Sequence, residues 1–295
     1  MSTGILNLNR NNTIVSKKIL GPNIKQIEVV SPSIAEKALP GQFIILRVSS
    51  KGERIPLTIV RKDTNSGTIT LVFQEVGRTT KLLGELEPGA VLHDLVGPLG
   101  HPTEIKNYCT VIVIGGGVGI AEILPVSEGL KKVGNKVIGI LGARTKELLI
   151  FENEMRSICD ELYITTDDGS YGQKGLVSDI LKELLNNLPA YPLTHLPALI
   201  YAVGPVPMMR KVAEVTKPFN IKTIVSLNPI MVDGTGMCGS CRISVGNETK
   251  FACVDGPEFD AHLVNWEELQ NRLKLFSEQE KSILNFKNPN CSGDL

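Results

Sequence analysis

The sequence has no surplus of either charge: Lys and Arg total 31, Asp and Glu total 31, in 295 residues. A chain so balanced carries no net field to draw it to nucleic acid or to an anionic membrane, so its partners must be recognised at local sites. No stretch approaches the roughly 20 apolar residues that span a bilayer, which speaks against membrane insertion. The opening MSTGILNLNRNN has neither the basic start nor the apolar run of a secretory leader, and a cytoplasmic location is expected. The four histidines, His93, His101, His195 and His262, are scattered without ligand spacing, so none is assigned a catalytic or metal role. No repeat of solenoid length occurs. In a reducing compartment, clustered cysteines point to metal binding or redox chemistry rather than to structural disulfides.

What is present divides the chain into regions of different grammar. At 295 residues there is room for about two domains of ordinary size and a substantial core. Residues 1–102 contain short β-rich segments (TIVSKKIL, NIKQIEVV, QFIILRVSS, IPLTIV, GTITLVFQEV, AVLHDLV) with turn pairs at Pro40-Gly41 and Pro88-Gly89. Several alternate apolar and polar residues, the pattern of an antiparallel barrel or sandwich. Residues 103–227 change to near-continuous apolar runs, CTVIVIGGG, KVIGILGAR, ELYITTDDG and ALIYAVGP, with helical stretches such as SDILKELLNNL between them. Strands buried on both faces read this way, and the expected fold is an open α/β domain with a parallel sheet. Residues 228–265 are rich in Gly and Cys, too small for a large core of their own, and of the kind a metal commonly holds together. Residues 266–295 carry apolar residues at helical spacing and end in a polar tail; a packing helix or a docking surface for a partner fits this pattern.

Gly115, Gly116, Gly117 and Gly119 sit between a buried strand and a helix. There the lack of side chains lets backbone approach a pyrophosphate whose charge the helix N-terminus stabilises. Two later strands also end in glycine-bearing loops, TTDDGSYGQKG and AVGPVPMM. Loops at the carboxyl ends of parallel strands converge on one crevice, which makes Asp168, Gly204, Pro205 and Met208 candidates to line a nicotinamide nucleotide site. Asp167 and Asp168 fit a ribose or carboxamide contact, or an ordinary turn before Gly169. Arg144 fits a 2′-phosphate or plain surface, so NADH and NADPH both stay open.

A barrel, then GGGxGI, then GPxPM is an order that resembles the ferredoxin-NADP reductase superfamily. The flavin motif RxPL[ST] of that superfamily is matched by Arg54, Pro56, Leu57 and Thr58. The resemblance implies FAD on the barrel, with Arg54 facing its pyrophosphate and Thr58 facing the isoalloxazine. It further implies Val72, Phe73 and Gln74 along the flavin, and Gly77, Thr79 and Thr80 at its phosphates.

Plant-type [2Fe-2S] proteins use C-x4-C-x2-C followed by a distant cysteine. Here the spacing is Asp233-x4-Cys238-x2-Cys241-x11-Cys253, with an aspartate in the first cysteine's place. Iron accepts a carboxylate oxygen, and a harder donor alters cluster potential and lability. Gly234, Gly236 and Gly239 would let backbone amides approach the inorganic sulfides. Cys109 and Cys159 are expected as buried small hydrophobes, and Cys291 in the polar tail is the rival fourth ligand. A structural zinc with three thiolates and an oxygen is the competing reading, although zinc is redox-silent.

The segment CVDGPEF after Cys253 resembles the electron-transfer subunits of dihydroorotate dehydrogenases. With Asp233 in the first ligand place, NPIMVDGTGMCGSCR is more similar to the small subunits of NADH-dependent reduced ferredoxin:NADP oxidoreductases, also known as sulfide dehydrogenases. That resemblance implies an oxidoreductase subunit passing electrons between NAD(P)H, FAD and a [2Fe-2S] cluster. It also implies a heterodimer with a larger flavin and [4Fe-4S] subunit that handles ferredoxin and the second nicotinamide, with electron bifurcation. From another class, a flavin- or metal-binding sensor without turnover remains open.

Overall fold

The computed structural model describes residues 10–187 and 197–276, together with 278, 279 and 282. The rival ligand Cys291 and His195 lie outside the described residues. The alternating segments of the N-terminal region form β1 (Ile14–Gly21), β2 (Ile24–Val30), β3 (Phe43–Arg47), β4 (Arg54–Asp63), β5 (Thr68–Gln74) and β6 (Asp94–Leu99). Two short helices, α1 (Pro32–Lys37) and α2 (Arg78–Glu85), cross between strands. The strands pair antiparallel in the order β1-β2-β5-β4-β3-β6. The two outer strands then meet: Thr13 bridges Val91, Ile14 N–H donates to Ala90 O at 2.8 Å, and Leu92 N–H donates to Asn12 O at 2.9 Å. The expected barrel is thus closed on this side, and closure removes the unpaired edges that an open sheet would leave. Ile14, Ile27, Leu46, Leu71 and Phe73 fill its interior.

From Thr110 the chain winds strand, helix, strand: β7 (Thr110–Gly116), α3 (Gly119–Lys132), β8 (Lys136–Ala143), α4 (Glu152–Ile158), β9 (Glu161–Thr166), β10 (Gln173–Lys174), α5 (Val177–Asn186), β11 (Leu199–Val203), α6 (Val206–Thr216) and β12 (Thr223–Ser226). The sheet order β10-β9-β8-β7-β11-β12 is parallel throughout. Val111, Ile112, Val113 and Ile114 of β7 are all buried, because helices cover both faces. Each such side chain contributes about 1.5–3 kcal/mol of burial. The chain leaves β7 toward β8 and β9, then returns to the other side as β11, so the carboxyl ends of β7 and β11 flank a topological switch point, where ligand crevices open in such sheets.

The cysteine-rich segment folds into a hairpin, β13 (Arg242–Val245) and β14 (Glu248–Phe251), followed by β15 (Glu258–Asp260) and α7 (Trp266–Leu273). β15 adds to the parallel sheet as its antiparallel edge, with Val225 opposite Phe259 and Ser226 opposite Glu258. Cys241, Ile243, Ala252, Cys253 and Phe259 belong to one buried cluster with Phe43 and Ile45 of the barrel and Ile112 and Ile114 of the sheet. The small module therefore borrows its core from both neighbours. α7 packs Leu269 inward, and Arg272 donates to Ser240 O at 3.0 Å, which ties the helix to the cysteine loop.

One carboxylate ties the cysteine module to the α/β domain. Glu258 Oε1 accepts the Tyr201 hydroxyl at 2.7 Å and also the Thr103 hydroxyl. Burial raises the Glu258 carboxyl above the ordinary glutamate range, against the pull of these two donors. The folded state therefore holds this proton more tightly than the unfolded chain does. The stabilisation is complete below the ordinary glutamate value and is lost as pH rises through the raised one. Glu258→Gln, which keeps an acceptor for both hydroxyls, is expected to melt with wild type near about pH 4 and above it near about pH 8. Thermal melts at the two pH values check this, and an equal loss at both would contradict it.

The structure corrects one expectation here. Cys109 is exposed rather than buried: it sits before β7 at a positive φ of 67°, where Asn107 Oδ1 accepts its N–H at 2.7 Å. The strand interior begins one residue later. Cys159 is half-buried at the end of α4, and burial pushes its thiol up to about 12.

Candidate functional site

A cleft of about 580 Å³ opens at the switch point of the parallel sheet. Gly116, Gly117 and Gly119 form one wall, and Gly204, Pro205 and Met208 the facing one. Gly117 N–H donates to Gly142 O at 2.8 Å, which turns the chain sharply from β7 into α3. Gly115 stays behind this wall, packed on Ile120. Of the paired aspartates, Asp167 lines the cleft while Asp168 does not; Asp168 Oδ1 is taken by the Ser170 N–H and hydroxyl at 2.9 and 2.7 Å. The Ser170 hydroxyl and its N–H hold the Asp168 carboxyl below its ordinary range. Arg144 and Lys211 supply positive charge at the cleft. Thr165 Oγ1 lines it too, buried and without a hydrogen-bond partner. An orphaned buried hydroxyl costs about 1–3 kcal/mol unless something bonds it, so this wall is built for a polar ligand.

A second groove, of about 290 Å³, runs along the barrel. Pro56, Leu57 and Thr58 of β4 and Val72, Phe73 and Gln74 of β5 line it, as does Thr80. These two strands are neighbours, which brings the RIPLT and VFQ stretches onto one surface. Thr80 Oγ1 accepts the Gly77 N–H at 3.0 Å and so caps α2, while the Thr79 hydroxyl donates to Glu53 at 2.8 Å. Both threonine hydroxyls are thus engaged within the chain. Arg54 stands opposite Arg47 across the β3–β4 ladder, and both face Asp94, at 3.9 and 2.5 Å. Two guanidinium groups against one carboxylate leave a net positive charge suited to a phosphate. Arg47 and Asp94 were not evident from sequence, because their neighbours on β4 and β6 are set only by strand pairing.

The two spaces share a throat formed by Gln74, Val118, Glu122, Ser226 and Asn228. The groove continues past it to Leu227, Met231 and Pro257, the start of the cysteine module. Glu122 was likewise missed: it follows the glycine loop in the first turn of α3, and only the fold turns it toward Thr58, whose hydroxyl donates to Glu122 Oε2 at 2.9 Å.

In the cysteine loop, Cys241 and Cys253 are buried with their sulfurs 3.2 Å apart. Burial, then the neighbouring Cys241, pushes the Cys253 thiol up to about 12. Asp233 Oδ1 accepts the Thr235 N–H at 2.8 Å and Oδ2 the Cys238 N–H at 2.9 Å, which holds the carboxyl ionised and below its usual range. Cys238 is exposed, and the Ser240 hydroxyl and N–H draw its thiol below the ordinary value. Among the described residues no three His, Cys, Asp or Glu side chains converge on a point that one ion could fill. Two contacts join these residues instead: the Cys238 N–H to Asp233 Oδ2, and Cys241 to Cys253 through their sulfurs. Gly234 presses this loop onto the barrel: at φ 77° its Cα leaves no room for a side chain, since a Cβ would meet Ile45 and Leu99 at 2.7 and 2.8 Å. A cationic cluster would fit this donor set, because it would ionise the close thiol pair that burial otherwise keeps protonated.

Comparison with known proteins agrees with this layout. The iron-sulfur cluster binding domain family of dihydroorotate dehydrogenase B matches residues 228–265. A Thermotoga maritima homologue of the dihydroorotate dehydrogenase B (NAD(+)) electron transfer subunit is 45% identical over 270 residues, covering 92% of this chain and 93% of its own. The electron transfer subunit from a Geobacillus species is 33% identical, covering 84% of this chain and 95% of its own. A chain of the solved NADH-dependent reduced ferredoxin-NADP oxidoreductase, studied for flavin-based electron bifurcation, superposes with a TM-score of 0.86 at 43% identity, covering 94% of this chain and 97% of its own. Phthalate dioxygenase reductase, at 16% identity and a TM-score of 0.53, shares the fold alone. With a ferredoxin-NADP reductase-like fold and these whole-length relatives, the chain belongs to the family of dihydroorotate dehydrogenase B electron-transfer subunits and their homologues.

Proposed function

We propose that this chain is the subunit that moves electrons between NAD(P)H, FAD and a [2Fe-2S] cluster, to or from a larger partner subunit. The observation that carries this reading is continuity: cleft and groove share the throat at Gln74, Val118, Glu122, Ser226 and Asn228, and the groove ends on the cysteine module. In this reading, backbone at Gly116, Gly117 and Gly119 and the N-terminus of α3 hold the nucleotide pyrophosphate. Pro205 and Met208 form the opposite wall, and Asp167 and Arg144 meet the adenosine end. Arg54, with Arg47 beside it, neutralises the flavin pyrophosphate at the start of the groove. Val72, Phe73 and Gln74 bound the flavin ring and shield it from water. Thr58 presents its hydroxyl to the ring edge. Asp233, Cys238, Cys241 and Cys253 hold the cluster, and the lack of convergence on a single point among the described residues favours a binuclear cluster over a single zinc. When bound, the flavin supplies the conversion of a two-electron hydride into single electrons that an iron-sulfur centre accepts.

The partner in this reading is a larger flavin and [4Fe-4S] subunit that handles ferredoxin and the second nicotinamide, in the cytoplasm. The 43% identity to a chain of the ferredoxin-NADP oxidoreductase supports that branch. A second reading, electron transfer to a dihydroorotate dehydrogenase, is favoured by the match over residues 228–265. Anaerobic titration of the purified chain with NADH tests the core of the proposal. Flavin and iron-sulfur absorption should bleach together, and a colourless protein would end it. The subunit that co-purifies from native extract separates the two branches.

The fourth ligand has its own test. Asp233→Cys is expected to keep the cluster with a changed visible spectrum and a changed potential, since thiolate replaces a harder oxygen. An unchanged EPR signal in Asp233→Ala, together with cluster loss in Cys291→Ala, would reassign the ligand.

A further inference from the structure

Among the described residues, Glu122 is the one carboxylate that borders both the cleft and the groove. Among the described residues its carboxylate has one hydrogen-bond partner, the Thr58 hydroxyl, at 2.9 Å. It is half-buried and lines both spaces. No cation is within ion-pair distance of it among the described residues. Arg144, Lys211 and Asp167 line the cleft, and Arg61 of β4 turns to Glu128 at 4.0 Å. On the other packed elements, Lys136 of β8 is paired with Glu161, Arg156 of α4 with Glu152, and Tyr201 of β11 gives its hydroxyl to Glu258. A carboxyl with one neutral donor and no counter-ion is easily switched between its two protonation states. Withdrawal from water raises its affinity for a proton above the ordinary glutamate range, and the Thr58 hydrogen bond offsets this in part.

We propose that Glu122 is the proton-holding residue of the electron-transfer site, exchanging one proton with the flavin through the Thr58 hydroxyl. This rests on the flavin reading of the groove. Two electrons enter the flavin as hydride, so one hydrogen arrives with them. When the electrons leave one at a time to the iron-sulfur acceptor, the flavin is oxidised, the acceptor is reduced, and that hydrogen must depart as a proton. Thr58 Oγ accepts it as its own O–H bond, already directed at Glu122 Oε2, breaks toward the carboxylate. Glu122 becomes the carboxylic acid, Thr58 ends as it began, and no other reactant is required. Electron flow in the opposite direction returns the proton by the same route.

The test is the flavin midpoint potential of the full chain as a function of pH, followed by spectroelectrochemistry in wild type, Glu122→Gln and Thr58→Val, with flavin content measured for each. On reduction Glu122 supplies the proton that the flavin would otherwise take from solvent, so net uptake falls by one per two electrons and the slope flattens by about 30 mV per pH unit. Wild type should show a pH window with this flattened slope, and Glu122→Gln should lack it while retaining flavin. Thr58→Val should keep the window but move it to higher pH, because the carboxylate loses its hydrogen-bond donor, and should slow electron release at least tenfold. Identical slopes in wild type and Glu122→Gln would overturn the proposal and leave the flavin reading standing. Wild type purified without flavin would overturn the reading and the proposal with it. Should Glu122→Gln fail to hold flavin, Thr58→Val decides: a shifted window supports the relay and an unmoved one overturns it.

Discussion

Cys253→Ser and Cys241→Ser are each expected to yield a chain without bound iron. Their reduction of one-electron acceptors by NADH should fall further than the roughly 10–100-fold typical when a residue that merely supports a ligand is lost. The two sulfurs lie 3.2 Å apart in the core shared by barrel, sheet and module. Burial keeps the Cys253 thiol protonated up to about 12, so this pair ionises together only against a strong local cation. A serine hydroxyl ionises far less readily than a thiol and leaves its partner a lone thiolate in an apolar core, so the pair is broken as a donor set. Cys238 is exposed and bonded to Asp233 and Ser240 rather than packed in the core, so Cys238→Ser is expected to keep more iron than the two buried variants. Transfer of hydride to a two-electron dye should survive in all three, because the cleft, throat and groove contain none of these cysteines. Iron analysis, the visible spectrum and parallel assays with one- and two-electron acceptors check this. Full iron content in Cys253→Ser would remove that residue from the ligand set.

Gly119→Ala is expected to destabilise the chain by about 1–3 kcal/mol through overpacking, and to weaken NADH binding. The added Cβ would stand 2.4 Å from Val203 O and 3.0 Å from Gly204 Cα, both backbone atoms at the end of β11 that cannot turn aside. Relief requires the N-terminus of α3 to move away from β11, which displaces the backbone donors facing the cleft. If the strain appears in binding, 1.4 kcal/mol corresponds to about a tenfold rise in Kd. Gly116→Ala makes a useful contrast. Its Cβ would meet the Met208 Sδ at 2.3 Å, but a thioether on a flexible side chain can swing away. Gly116→Ala should therefore cost less, and Met208→Ala in the same chain should relieve most of that cost. Thermal melts and NADH titrations of the three variants check the order; equal behaviour of Gly119→Ala and wild type would show that close packing is not why glycine stands there.

The elements themselves were legible before any coordinates. The six alternating segments became the barrel strands, and CTVIVIGGG, KVIGILGAR, ELYITTDDG and ALIYAVGP became β7, β8, β9 and β11. The residues of IPLT and VFQ face one groove, and Gly116, Gly117 and Gly119 of GGGVG face Gly204, Pro205 and Met208 of GPVPM across one cleft. Other features depended on distant partners. Thr58 and Glu122 are 64 positions apart, and nothing local to either shows that they touch. Arg47 joins Arg54 only because β3 pairs with β4, and Glu258 closes on Tyr201 and Thr103 only because β15 lies against β12. Asp167 and Asp168 are equivalent in sequence, and the turn to Ser170 decides which one reaches the cleft.

The amino-acid sequence alone determined the strand and helix pattern, the glycine turns and the spacing of Asp233, Cys238, Cys241 and Cys253. All of these follow from periodicity and backbone freedom over a few residues. The tertiary structure alone decided that barrel groove and nucleotide cleft meet at Glu122, and that Cys241 and Cys253 bring their sulfurs together in the core. Those are contacts between segments brought together by packing, and the energy that selects them is spread over a core shared by all three units.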